Sequence, residues 1–208
     1  KISTVHINEN HPIDIASREL CIKLIKKYDN SKDNVVLEVG CGNGRLIKHI
    51  KKNAKYNYIG SDAIKENVLA LSKYYKDIPF LVFDLLKNPF KESICNTLIM
   101  LNVLEHIEND NLALKEAHRI LKKDGILIIE VPASKVLYDS YDKNLLHYRR
   151  YNMQEFLTQI KNAGFKIEYK THLGFLIFPF FAFMKLINKI FIRENVVPKQ
   201  AKSSDNFL

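Results

Sequence analysis

The sequence predicts an α/β fold with a mostly parallel sheet and helices on both of its faces. Short apolar strands alternate with amphipathic helices, a glycine-rich turn joins the first strand to a helix, and three successive strands end in a carboxylate. Because right-handed crossovers connect parallel strands, the carboxyl ends of these strands meet at one edge of the sheet. A ligand site is expected at that edge.

Hydrophobic periodicity places the individual elements. An amphipathic helix is predicted over residues 13–28. Strands are predicted near 35–39, 57–61, 79–83, 97–101 and 126–131, and further helices near 44–53, 65–75, 110–122 and 152–163. The alternation ends with a sixth predicted strand over residues 166–172.

Composition indicates one domain over residues 1–208, with an N-terminal helix in 1–32, a core in 33–172 and an apolar and basic element in 173–208. The three cysteines lack metal-ligand spacing, so neither a disulfide framework nor a metal site is expected. The net charge of +9 comes largely from lysines on solvated faces, and no nucleic acid partner is expected. The chain shows no secretory signal peptide, which predicts a cytoplasmic location.

The most informative motif is Glu38-x-Gly40-x-Gly42-x-Gly44, which joins a buried strand to a helix. Gly40 permits a tight turn, Gly42 removes a side chain where a ligand passes, and Gly44 lets the helix pack close to the strand. A carboxylate before the glycines suits a ligand with a cationic end and would repel a pyrophosphate. The dinucleotide fingerprint also has longer glycine spacing, so a nicotinamide-dependent oxidoreductase is the less favoured interpretation.

Two further carboxylates strengthen the prediction of a ligand site. Asp62 ends the second predicted strand about 20 residues after the glycines, where an acidic residue can bind ribose hydroxyls. Asp84 repeats the arrangement one unit later and could accept a hydrogen bond from an adenine amine. Either aspartate alone could be a helix cap or turn residue. Three strands that each end in a carboxylate favour ligand binding.

Over residues 33–172 these motifs, in this order, resemble the class I S-adenosylmethionine-dependent methyltransferases. The resemblance implies a Rossmann-like, doubly wound sheet, for which no seventh, antiparallel strand is found before Leu208. It also implies S-adenosylmethionine as cofactor and S-adenosylhomocysteine as product. A catalytically silent cofactor-binding protein is the alternative. The implied cofactor contacts are Glu38, Gly40, Cys41, Gly42 and Gly44 around the methionine part, Asp62 and Ala63 at the ribose, Asp84 and Leu85 at the adenine, and Asn102 beside the cofactor.

The loop after the fifth strand resembles the Asp…His-x-Arg-Arg-Tyr signature of a methyltransferase subgroup found near genes for cell-surface glycans and lipid-linked sugars. That subgroup usually has glycine where this chain has Leu146. His147 is the candidate base, because an imidazole titrates near neutrality. The candidate acceptor contacts are His106, Asp142, Arg149, Arg150 and Tyr151, with the two arginines suited to a phosphate or carboxylate. The expected acceptor is a small molecule, a glycan or a lipid-linked saccharide.

Structural roles remain open for the same residues. The cluster could only tie its loop to the sheet, and His106 could be a helix-start residue. Residues 173–193 combine a Phe-rich run with a basic stripe, which favours a lid or core element, a contact with the inner membrane face, or a dimer interface, in that order.

Overall fold

Five parallel strands form a single sheet in the computed structural model, which describes residues 11–29, 34–53, 56–173 and 183. The strands lie in the order β3-β2-β1-β4-β5, and every pair of neighbours is parallel. Their bounds are β1 Val35–Val39, β2 Asn57–Asp62, β3 Phe80–Val82, β4 Cys95–Leu101 and β5 Leu121–Glu130. The predicted α/β class and its five core strands are confirmed.

Helices cover both faces of the sheet. The helices are α1 Pro12–Tyr28, α2 Arg45–Asn53, α3 Lys65–Tyr74, α4 Asp110–Ile120, α5 Ser140–Asn144 and α6 Met153–Asn162. On one face, buried residues of α1 and α2 pack with Val36 and Ile99. On the opposite face, buried residues of α4 and α6 pack with Leu37 and Leu98. Strands buried on both faces read as continuous apolar runs, which explains the composition of β1 and β4.

The pairing of β1 with its two neighbours brings the carboxyl ends of the strands together. Glu38 lies opposite Gly60 of β2 and Ile99 of β4, and Val39, the last residue of β1, pairs with Ser61. Asp62 ends β2 and Asn102 directly follows β4, so both lie at the same edge. The residues implied to bind the cofactor therefore share one edge of the sheet.

The glycine turn after β1 depends on left-handed backbone. Gly40, Gly42 and Gly44 have φ values of +75°, +51° and +77°. A Cβ on Gly40 would lie 2.4 Å from Val103 Cγ2, whereas a Cβ on Gly42 would meet nothing within 4 Å. The role predicted for Gly44 is wrong. A Cβ at this position would lie 2.5 Å from Leu71 Cδ2, so the glycine makes room for α3 and not for the strand.

The predicted sixth strand is wrong for the described part of the chain. Residues 166–172 are irregular, and 168–172 are exposed. Among the described residues no strand pairs with the outer side of β5. A groove of about 1180 Å³ runs there, between α1, β5 and residues 165–173. A strand needs a partner for its backbone groups, and the alternating sequence alone does not provide one.

The C-terminal prediction lies largely outside the described residues, which include only 173 and 183 of the 173–193 segment. Its membrane, lid and dimer interpretations stay predictions. Across the described ranges, none of the helices has the length and apolar character needed to span a bilayer.

Replacing Gly40 by Ala should destabilise the fold more than replacing Gly42. Both positions have positive φ, so the backbone cost is similar, but only at Gly40 does the new methyl group overlap Val103. Overpacking of this kind costs about 1–3 kcal/mol. Urea unfolding of the two variants should show a difference in this range. Equal losses of unfolding free energy would contradict the role given to the Gly40–Val103 contact.

Candidate active site

Asp62 connects β2 to the glycine turn. One carboxylate oxygen accepts a hydrogen bond from the Gly42 backbone N–H at 2.8 Å, and the other accepts from the Ile64 N–H at 2.8 Å. The side chain is buried, and it lies beside the open space at Gly42. The residue implied to bind ribose therefore also shapes the loop implied to bind the methionine part.

Glu38 is a buried carboxyl at the end of β1. Its Oε2 accepts a hydrogen bond from the Tyr58 hydroxyl, and its side chain is largely removed from solvent. Burial raises the pKa of Glu38 to about 7, and the nearby Asp62 adds to this effect against the Tyr58 hydrogen bond. A cationic group beside Glu38 would restore the ionised form.

The other residues implied to bind the cofactor lie around the same edge. Cys41 and Leu85 are buried, and Ala63 is exposed. Asp84 accepts a hydrogen bond from the Leu86 N–H and caps a 3₁₀ turn, which is the structural alternative considered for it. Asn102 has φ +54°, and its amide donates to Glu130 Oε1 at 3.1 Å. Their contacts with a cofactor stay predictions.

An ion pair anchors the loop after β5. Arg150 Nε lies 2.8 Å from both carboxylate oxygens of Asp142, whose side chain is fully buried. Asp142 Oδ1 also lies 3.1 Å from His147 Nδ1, and Asp142 closes a capping box with Asp139 at the start of α5. Asp142 and Arg150 thus fix the orientation of His147, and their contact with an acceptor stays a prediction.

A second ion pair holds the end of the loop. Arg149 pairs with Asp110 at 2.7 Å and donates to the Glu108 carbonyl at 2.7 Å. The hydroxyl of buried Tyr151 donates to Asp110 Oδ2, the same oxygen that pairs with Arg149. Direct acceptor binding by Arg149, Arg150 or Tyr151 is therefore a prediction without support from these contacts, which favour the loop-tying alternative.

The side chains of His106 and His147 are in contact. Their ring centroids are 4.7 Å apart with the planes at 82°. Partial desolvation and then the neighbouring His147 lower the pKa of His106. The two histidines come from separate segments, since His106 follows β4 and His147 follows α5.

Glu105 is a candidate residue that the sequence interpretation missed. It is fully buried, and neither carboxylate oxygen has a hydrogen-bond partner among the described residues. Burial raises the pKa of Glu105 to about 8. The backbone places it next to the histidine loop, because the Tyr148 N–H donates to the Glu105 carbonyl at 2.8 Å. Its only sequence signal was its position beside His106.

Comparison with known proteins finds methyltransferases among the relatives of this chain. A family model described as a methyltransferase domain matches residues 37–129, from β1 to β5. An uncharacterized protein of Methanocaldococcus jannaschii is 32% identical over 156 residues, covering 74% of this chain and 64% of its own. A proposed methyltransferase of Bacillus halodurans has a similar fold, with a TM-score of 0.62 and 20% identity, covering 71% of this chain and 69% of that one.

Residues 37–129 are therefore a methyltransferase domain, which supports the predicted class I S-adenosylmethionine-dependent family. The methyltransferase spans less than two thirds of the length of the curated relatives that it matches, at 64% and 36% for two of them. Its membership of the His-x-Arg-Arg-Tyr subgroup stays a prediction.

The expectation of no nucleic acid partner is overturned. The proposed 23S rRNA (guanine-N(1)-)-methyltransferase of Bacillus subtilis is 33% identical to this methyltransferase over 111 residues, covering 50% of this chain and 36% of its own. Sequence composition cannot exclude RNA when a relative is named for acting on it. The charge argument failed because the overall balance does not show where cations lie.

The backbone conformation of Leu146 explains why the subgroup usually has glycine at this position. It has φ +60°, a left-handed conformation that costs a non-glycine residue roughly 1–2 kcal/mol. Its side chain is 66% exposed, so burial of this side chain offsets little of the backbone strain.

Leu146→Gly should therefore stabilise the methyltransferase by about 0.5–1 kcal/mol, since strain is relieved while glycine adds unfolded-state entropy. The matched control is Leu145→Gly, because Leu145 has φ −81° and needs no glycine. Leu145→Gly should lower the free energy of unfolding. Thermal or urea unfolding of both variants measures the two changes. A lower free energy of unfolding in Leu146→Gly would show that Leu146 is not strained.

Proposed function

We propose that this methyltransferase transfers a methyl group from S-adenosylmethionine to a small-molecule, glycan or lipid-linked acceptor. The observation that carries the proposal is the arrangement at Gly42. Its N–H binds Asp62 at 2.8 Å, while the space beside its Cα is open. A ligand can approach the bare backbone there with two buried carboxyls beside it.

The cofactor roles follow from charge and position. Glu38 would pair with the ammonium of the methionine part, because its carboxyl is buried at the end of β1. Asp62 would accept hydrogen bonds from the ribose hydroxyls, as carboxylates at this position do in related folds. Asp84 and Leu85 would lie at the adenine, and Asn102 beside the sulfonium end.

Methyl transfer is an in-line displacement, so alignment of acceptor, methyl and sulfur supplies much of the catalysis. The methyl–sulfur bond breaks as the bond to the acceptor oxygen or nitrogen forms, and S-adenosylhomocysteine leaves. His147 is proposed to promote loss of the acceptor proton. The buried Asp142 orients its ring, as the carboxylate of a histidine dyad does.

RNA is the second candidate acceptor, because a relative that is 33% identical over 111 residues is named as a 23S rRNA methyltransferase. RNA binding relies on cations that contact phosphates. Arg149 and Arg150 are paired with carboxylates of this chain, so an RNA acceptor would need other cations. A lipid-linked acceptor would also give a purpose to the membrane contact predicted for residues 173–193. Transfer of labelled methyl to lipid-linked saccharides but not to ribosomal RNA would support this acceptor class, and the reverse result would overturn it.

Two alternative functions would require different properties of the site. A catalytically silent protein would bind the cofactor without turnover on any acceptor. A nicotinamide-dependent oxidoreductase would bind a pyrophosphate at the glycine turn, where the buried Glu38 is unfavourable.

Cofactor affinity should rise with pH between 6 and 8. Glu38 has a pKa of about 7, so it is mostly neutral at pH 6 and mostly ionised at pH 8. If the cofactor ammonium binds only the ionised form, affinity for S-adenosylhomocysteine increases roughly tenfold over this interval. Calorimetric titration at both pH values measures the change. Glu38→Gln is the control and should bind weakly with no such slope. A flat profile in the wild type would argue against the ammonium contact.

His147→Ala should lower turnover by about 10²–10⁴-fold, the range of acid–base catalysis, with little change in cofactor affinity. The matched control is His118→Ala, an exposed histidine on α4. Single-turnover rates with labelled cofactor and binding of S-adenosylhomocysteine separate the two effects. Wild-type turnover with a lowered melting temperature would instead show that His147 is structural.

A further inference from the structure

Glu105, His106 and His147 bring three metal-ligand side chains together. One ligand atom from each lies within 4.8 Å of the others. Glu105 contributes a fully buried carboxyl whose two oxygens lack hydrogen-bond partners among the described residues. Buried carboxyl oxygens are normally satisfied, so this one points to a ligand that the cluster receives.

We infer that Glu105, His106 and His147 form a site for a divalent first-row transition-metal ion on the acceptor side of the methyltransferase. Two imidazoles and one carboxylate are a ligand set that suits such ions, with Zn²⁺ and Mn²⁺ as examples. Ligand atoms around a tetrahedral ion are about 3.3 Å apart, from bond lengths of about 2.0–2.1 Å. Side-chain rotations that draw the three groups together by up to about 1.5 Å would complete the site.

The surroundings of His147 are those of a metal ligand. The ion pair with Arg150 keeps Asp142 ionised, so its carboxylate can only accept a hydrogen bond. His147 Nδ1 therefore carries the hydrogen and donates it to Asp142 Oδ1. The lone pair of a neutral ring then lies on Nε2. Metal-bound histidines usually donate their other N–H to a carboxylate or carbonyl in this way.

Hydrogen bonds to the backbone hold the segments that carry Glu105, His106 and His147. The Tyr148 N–H binds the Glu105 carbonyl at 2.8 Å, and the Tyr138 hydroxyl donates to the His147 carbonyl at 2.7 Å. The His106 N–H binds the Val103 carbonyl at 3.0 Å. The loop and the turn after β4 are thus joined next to all three side chains.

The ion would serve the acceptor, which makes this inference rest on the proposed function. Three protein ligands leave a coordination position for an acceptor oxygen. A bound ion lowers the pKa of a coordinated hydroxyl, so His147 would promote proton loss as a ligand and not as the base itself. The ion would also position the acceptor relative to Asn102 at the end of β4.

The test is calorimetric titration of the EDTA-stripped methyltransferase with Zn²⁺ and, separately, with Mn²⁺. The variants are His106→Ala, which alters an exposed residue, and Glu105→Gln, which keeps the side-chain shape. His118→Ala is the matched control, since an exposed histidine can itself bind Zn²⁺ weakly. We expect one Zn²⁺ per chain, at least tenfold weaker binding in His106→Ala and Glu105→Gln, and no change in His118→Ala.

Failure of the stripped wild type to bind either ion would overturn the inference. So would equal losses in His106→Ala and His118→Ala. If Glu105→Gln does not fold, His106→Ala decides the result. Titration of the same samples with S-adenosylhomocysteine keeps the two proposals apart. Cofactor binding without metal binding refutes only the metal site, and metal binding without cofactor binding refutes only the proposed function.

Discussion

The parallel pairing of β1 between β2 and β4 is the constraint on which the site depends. It ends the central strands at one edge of the sheet, where Asp62 of β2, Glu38 of β1 and Asn102 after β4 lie side by side. The turn after β1 must then leave that edge at once, past Val103, and only a glycine at position 40 leaves room. Sheet geometry thus forces both the carboxyls and the bare backbone toward the same space.

The part of the site that holds His147 is built differently, from charges that the fold buries. Asp142 and Arg150 remove each other's charge from solvent, and the pair fixes a histidine that a free loop would leave mobile. Buried pairs cost desolvation energy and add stability only when their hydrogen bonds are complete. Asp142 meets that condition through contacts with Arg150, His147 and the Asp139 N–H. The orientation of His147 is what this arrangement achieves.

The sequence was informative where function depends on local spacing. Glu38 and the glycines are adjacent in the chain, and Asp62 follows from one strand–helix–strand unit, so their placement could be predicted. The partner of Arg149 could not, because Asp110 lies about 40 residues away in the chain and only folding brings it near. Glu105 was missed for the same reason, since its burial depends on a later loop. The sixth strand failed because pairing of residues 166–172 requires a neighbour that periodicity does not reveal.

S-adenosylmethionine is proposed to bind at the edge formed by β1, β2 and β4. Isothermal titration of the purified protein with S-adenosylhomocysteine and, in a separate experiment, with NADH tests this directly. We expect one S-adenosylhomocysteine site per chain, which Asp62→Asn weakens at least tenfold, and no binding of NADH. Binding of NADH, or the absence of any S-adenosylhomocysteine binding by a folded protein, would contradict the proposal.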